Sequence, residues 1–140
     1  MLQLSPHLTF DGQCRNAFEA YKRILGGSLK TLMTYGESPM AANVDSQYHD
    51  RIVHATLLLP DGELVGADLL PEDYRLPQGF FVVLTVEGPD LGRTIFDSLA
   101  ESGQVRLPFA TTFWSPGFGV LTDRFGVPWE INTTSPGVAA

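Results

Sequence analysis

"LTFDGQCRNAFEAYKRILGGSLK", Leu8 to Lys30, and "LTVEGPDLGRTIFDSLAESGQVR", Leu84 to Arg106, lie 76 positions apart and read as one plan written twice. Leu8 falls on Leu84, Thr9 on Thr85, Phe10 on Val86, Asp11-Gly12 on Glu87-Gly88, Gly27 on Gly103 and Lys30 on Arg106. In both copies a short apolar strand meets an acid and a glycine, the chemistry of a turn, and a helix follows. Ala17, Phe18, Tyr21, Ile24 and Leu25 recur at spacings of three and four from Arg15 to Leu25, and Gly26-Gly27 stop that helix. Ile95, Phe96 and Leu99 mark one side of the second helix, from Asp90 to Ala100, which ends near Gly103. Glycines thus sit at the start and stop of both helices, where backbone freedom is needed.

Each copy continues alike. "SLKTLMTYG" reads as a strand, residues 37–50 as an irregular loop, and "RIVHATLLLPDGELVGADLL" as a hairpin turning at Pro60-Asp61-Gly62. In the second copy "QVRLPF" is a strand, and "FGVLTD" and "VPWEIN" flank a turn at Arg124-Phe125-Gly126. The fold class expected is α+β. Two strand-helix-three-strand modules, 4–70 and 79–134, are joined by the linker 71–78 and make one domain over residues 1–140.

Composition narrows the function classes. At 140 residues the chain has the size of one compact domain, or of two very small ones sharing a core, and its charged fraction of 18% suits a chain that buries much of its surface on folding or pairing. Sixteen acids against nine bases leave a net charge of −7, which disfavours nucleic acid and anionic membranes as partners. Cys14 is the one cysteine, so no internal disulfide forms. No basic-then-apolar leader and no apolar run near 18 residues is present, which makes cytoplasm the expected location. Cys14 sits where a helix dipole lowers a thiol pKa, but one thiol without a placed base is weak ground for nucleophilic catalysis.

A duplicated strand-helix-three-strand unit with these end signals resembles the vicinal oxygen chelate superfamily of glyoxalase I, bleomycin-resistance proteins and extradiol dioxygenases, and within it the PhnB-like branch. The stretches that carry the resemblance are "LSPHLTFDGQCRNAFEAYKRILGG", "IVHATLLLPDGELVGADLLP" and, most specifically, "TTFWSPGFGVLTDRFGVPWEIN". The resemblance implies two modules, each curling a mixed four-stranded sheet into a half-open cup, and closure by a homodimer. Members of the branch have been labelled demethylubiquinone methyltransferases. This chain has no strand, Gly-rich loop and helix in series that would hold a nucleoside cofactor.

Metal-using members of the superfamily place one ligand at the opening of each module's first strand and another on its last strand. Glu130 in "DRFGVPWEI" stands where the carboxylate of the second module stands, and period-two alternation puts Pro128, Glu130 and Asn132 on one face. The remaining positions match poorly. Module one opens with Ser5-Pro6-His7, module two with Phe80-Phe81, and the counterpart of Glu130 in the first hairpin falls near Gly66, with Asp68 two residues on. A dication needs three or four N or O ligands at about 2.0 to 2.6 Å, so the expectation is that no complete metal site exists. If one divalent ion binds, Glu130 with two of His7, His54 and Asp68 would hold it.

Each candidate also has a plain structural reading. A strand histidine such as His54 is commonly held by a hydrogen bond, His7 reads as an edge residue, and Asp68 can cap a turn. Of the aromatics near the C-terminus, most large rings are core, while Trp114 and Phe118 flank a Pro-Gly turn suited to a pocket rim. The expected ligand-binding residues are His54, Asp68, Phe81, Trp114, Phe118 and Glu130, with Glu130 the candidate catalytic group. The expected function is metal-independent binding of a small molecule. The alternatives are a metal-dependent lyase, isomerase or dioxygenase-like enzyme using Glu130 with His54, Asp68 or His7, and a non-catalytic dimeric scaffold.

Overall fold

A computed structural model describes residues 1–135. The chain divides into two compact units, Met1–Arg75 and a second beginning at Leu76, a boundary inside the expected linker. The first unit runs β1 (His7–Phe10), α1 (Cys14–Leu25), β2 (Ser28–Thr34), β3 (Ile52–Leu59) and β4 (Gly62–Asp68). The second runs β5 (Val82–Glu87), α2 (Pro89–Ala100), β6 (Gln104–Ala110), β7 (Phe118–Thr122) and β8 (Pro128–Thr134). The sheets are ordered β1-β4-β3-β2 and β5-β8-β7-β6, the same order shifted by four strands. In each, the first strand pairs parallel to the last and the other pairs are antiparallel. The fold is therefore the α+β class expected, with two βαβββ modules and open mixed sheets.

Helix α1 packs because its apolar stripe is continuous: Ala17, Phe18 and Tyr21 are fully buried. Gly66 of β4 makes room for it, since a Cβ there would strike the Phe18 ring. Module two solves the same problem elsewhere. A Cβ at Gly119 of β7 would strike Phe96 of α2, and one at Gly92 of α2 would strike Thr133 of β8.

One buried acid locks each module, through distant partners in the first and through its own turn in the second. Asp68, at the end of β4, is 1% exposed. Its Oδ1 accepts the N–H groups of Gly12 at 2.9 Å and Cys14 at 3.0 Å, and its Oδ2 accepts that of Ile52 at 2.8 Å. Gln13 makes no side-chain cap, so this carboxylate takes the place of one at the start of α1, where negative charge is favoured. Cys14 is not the activated thiol that its place at a helix start allows. Burial first, and the Asp68 carboxylate second, push its pKa far above 9.0. In module two Asp123 holds the β7–β8 turn: Oδ1 accepts from Phe125 and Val127, and Oδ2 from the Trp129 indole at 2.9 Å.

The stretch 37–50 is more regular than its sequence suggests. It contains two 3-10 turns, Ala41–Asn43 and Ser46–Tyr48, the second capped by Asp45 through Gln47 N at 3.0 Å. His49 Nε2 lies 3.0 Å from the Ala41 carbonyl and 2.9 Å from that of Val44, tying the turns together. Arg51 closes the base, with Nη1 on Asp11 at 2.7 Å and on the Leu69 carbonyl at 2.9 Å.

Candidate functional site: the open face of the second sheet

Strand β8 builds the site. Trp129, Ile131 and Thr133 alternate toward α2 and are buried, which leaves Pro128, Glu130 and Asn132 on the face that no helix covers. Glu130 pairs with Val83 of β5 on one side and Val120 of β7 on the other. It is half-buried between two valines, and among the described residues its carboxylate has no hydrogen bond or ion pair. Asn132, two residues on, pairs with Thr85 and Phe118, and its Oδ1 is buried without a partner.

Aromatic rings border this row. Phe118 meets Trp114 edge to face at 5.2 Å, and Trp114 meets Phe113 at 4.7 Å. Trp114 is 54% exposed and Phe113 is 97% exposed. Their turn is pinned from behind: Thr112 Oγ1 accepts from the N–H of Ser115, and the buried Ser115 hydroxyl lies 2.7 Å from the Gly117 carbonyl and 3.0 Å from that of Thr133. Phe81, two residues before Val83, lies beneath Arg106, whose guanidinium is 5.8 Å from the ring centroid. Phe81, Trp114, Phe118 and Glu130 thus belong to one module and surround one strand row. Alternation already places Asn132 on the face of Glu130, whereas nothing in the local sequence of Arg106 or Ser115 shows what lies across the sheet.

The other candidates belong to module one. His54 is exposed on β3 opposite Met33, with Nε2 3.3 Å from Thr56 Oγ1. His7 is exposed on β1 opposite Val65. Asp68 does not join them: its side chain turns to the helix side, and both its oxygens are occupied by backbone N–H groups. Its place in a metal set or a ligand pocket is therefore corrected to a structural one.

Strand register also corrects the expected counterpart of Glu130. Aligning Leu8 with Leu84 makes His7 equivalent to Val83, and Val65, rather than Gly66, equivalent to Glu130. Each module then offers one N or O donor, His7 or Glu130, beside one valine at the positions where the resemblance leads one to expect ligands. One donor within a module does not fit a dication that needs three or four. Among the described residues, no group of three or more His, Cys, Asp and Glu side chains is placed to hold a metal ion.

Known proteins share this architecture. A crystal structure from Nocardioides described as a glyoxalase/bleomycin resistance protein/dioxygenase superposes with a TM-score of 0.55 at 19% identity, over 99% of this chain and 87% of that one. The fold is the glyoxalase/bleomycin-resistance fold. A PhnB protein from Bacillus cereus, named as a 3-demethylubiquinone-9 3-methyltransferase, superposes at 0.79 with 21% identity, over 95% of this chain and all of that one. Protein PA1353 from Pseudomonas aeruginosa superposes at 0.89 with 37% identity, covering 96% and 99%. Protein YjdN of Escherichia coli is 35% identical over 139 residues, 94% of this chain and 95% of that protein. No protein-family model matches the sequence. The chain belongs to the family of protein YjdN, and it shares its fold with the PhnB and glyoxalase/bleomycin-resistance structures.

Proposed function

We propose that the protein binds a small, partly apolar molecule on the open face of the second sheet, without a metal ion, and that Glu130 is the principal hydrogen-bond acceptor for it. The observation that carries this reading is the placement of Glu130: a half-buried carboxylate between Val83 and Val120 with no partner among the described residues. A carboxylate without a protein partner keeps its acceptor oxygens for a ligand N–H or O–H. Apolar walls with few polar groups are the usual lining of a small-molecule site, and Val83, Val120, Phe118 and Trp114 supply them.

A homodimer in the cytoplasm is part of the same proposal. Val83 is 58% exposed, and Phe80, Leu107 and Phe113 also keep large apolar areas in solvent, which suits pairing with a second copy. No helix among the described residues is long and apolar enough to cross a membrane. Light scattering at micromolar concentration is expected to give twice the mass of the chain, and a single-chain mass rejects the dimer. To test ligand binding, a small-molecule library is screened by amide chemical shifts with wild type and Glu130→Gln. Hits that move residues 118, 120, 130 and 132 and weaken in the variant support the reading. Hits indifferent to Glu130→Gln, or none on this face, reject it.

A further inference from the structure

The open face of the second sheet carries two opposite charges that do not meet. Strands β5 and β6 are the two edges of that sheet, yet Arg106 of β6 reaches the ring of Phe81, which leads into β5. Helix α2 fills the other face, with Gly92 closed on Thr133, so the approach of Arg106 to Phe81 runs over the open one. Below it lie the paired residues of the inner strands, Glu130 and Val120. The one ion pair among the described residues is Arg51 with Asp11, so Arg106 and Glu130 face the same space unpaired. The other two bases of module two are committed elsewhere. Arg93 donates to the Phe109 carbonyl at 2.9 Å, and Arg124 lies over Phe125.

From this juxtaposition we infer that the site takes a small amphoteric molecule: an acid group for Arg106, an N–H or O–H donor for Glu130, and an apolar body against Val83, Val120 and Phe118. The inference rests on the binding reading above and names its ligand class. A guanidinium gives a planar fork to a carboxylate, whereas an ionised carboxylate only accepts, so the two ends of the site ask for opposite chemistry. Phe81 keeps the guanidinium at the mouth of the face when no acid is bound, since a ring holds a cation more weakly than an acid does.

Three probes of similar shape test this: phenylalanine, which has both groups, 3-phenylpropionate, which has the acid alone, and 2-phenylethylamine, which has the amine alone. Binding is followed by amide shifts at 118, 120, 130 and 132 and by the Trp114 indole signal. Phenylalanine is expected to bind about tenfold more tightly than either partial probe. Glu130→Gln should bring it down to the level of 3-phenylpropionate and leave that acid unchanged. Arg106→Gln should bring it down to the level of 2-phenylethylamine and leave that amine unchanged. Both variants should keep the wild-type circular dichroism. If a partial probe shifts these residues as strongly as phenylalanine, the amphoteric class is overturned while the binding site stands. If none of the three shifts them but library hits do, the class alone again fails; if the library is silent as well, the binding reading fails with it.

Discussion

Asp68 and Ile52, sixteen residues apart, are joined by a 2.8 Å hydrogen bond from the Ile52 amide to a carboxylate whose other oxygen caps the start of α1. One buried acid therefore ties the last strand of module one to its helix and to its third strand. Asp68→Ala leaves three N–H groups, two of them buried, without an acceptor and is expected to destabilise the module by about 3 kcal/mol or more. Urea denaturation followed by circular dichroism checks it. Both tryptophans lie in module two, so tryptophan fluorescence should move much less if the two units melt separately.

Alkaline pH should weaken the same module. Burial raises the pKa of Cys14 from 9.0 and that of Tyr35 from 10.0, with the Asp68 charge the second cause in each case. The folded chain keeps protons that the unfolded chain releases, so this contribution is complete below about pH 9 and is lost as pH rises. For Cys14 the slope approaches about 1.4 kcal/mol per pH unit above that point. Stability profiles from pH 7 to 11 should therefore fall, and Cys14→Ala should flatten them. An unchanged slope in that variant counts against the assignment.

Asn132 points to a conflict between stability and binding. Its Oδ1 is buried and unpartnered, which costs about 1–3 kcal/mol. Asn132→Val removes the acceptor and suits a strand, so it is expected to raise the melting temperature. Shifts caused by library hits should change at position 132 and its partner Phe118.

Gly92→Ala puts a methyl group into the side chain of Thr133 and is expected to cost about 1–3 kcal/mol, despite the better helix propensity of alanine. Gly88, with φ 92° at the cap of α2 and nothing near its missing Cβ, makes a useful contrast. There the cost of alanine comes from backbone strain alone.

The fold was readable from the sequence because its signals are local and repeated. Helix periodicity, the Pro60-Asp61-Gly62 turn and the spacing of Leu8 from Leu84 each depend on a few neighbouring residues. Glu130 was readable for a similar reason, since strand alternation places it opposite Trp129 and Ile131. Arg106 was not, because its contact with Phe81 spans four strands. Asp68 was legible as an acid near a hairpin, but its three partners come from the turn before α1, from α1 and from β3, and no local pattern marks them. His49 lies in a stretch whose sequence reads as an irregular loop, yet two carbonyls converge on its ring.

The parallel pairing of β1 with β4, and of β5 with β8, also governs the order in which the chain assembles. Each of these ladders joins the first strand of a module to its last, so neither can close until the whole module is available, whereas β3 and β4 adjoin and can zip early. Closing a long loop before any contact repays it is slow. On the ribosome, the first strand must therefore wait through most of its module, and Asp68, the residue that starts α1 from afar, is among the last of that module to emerge.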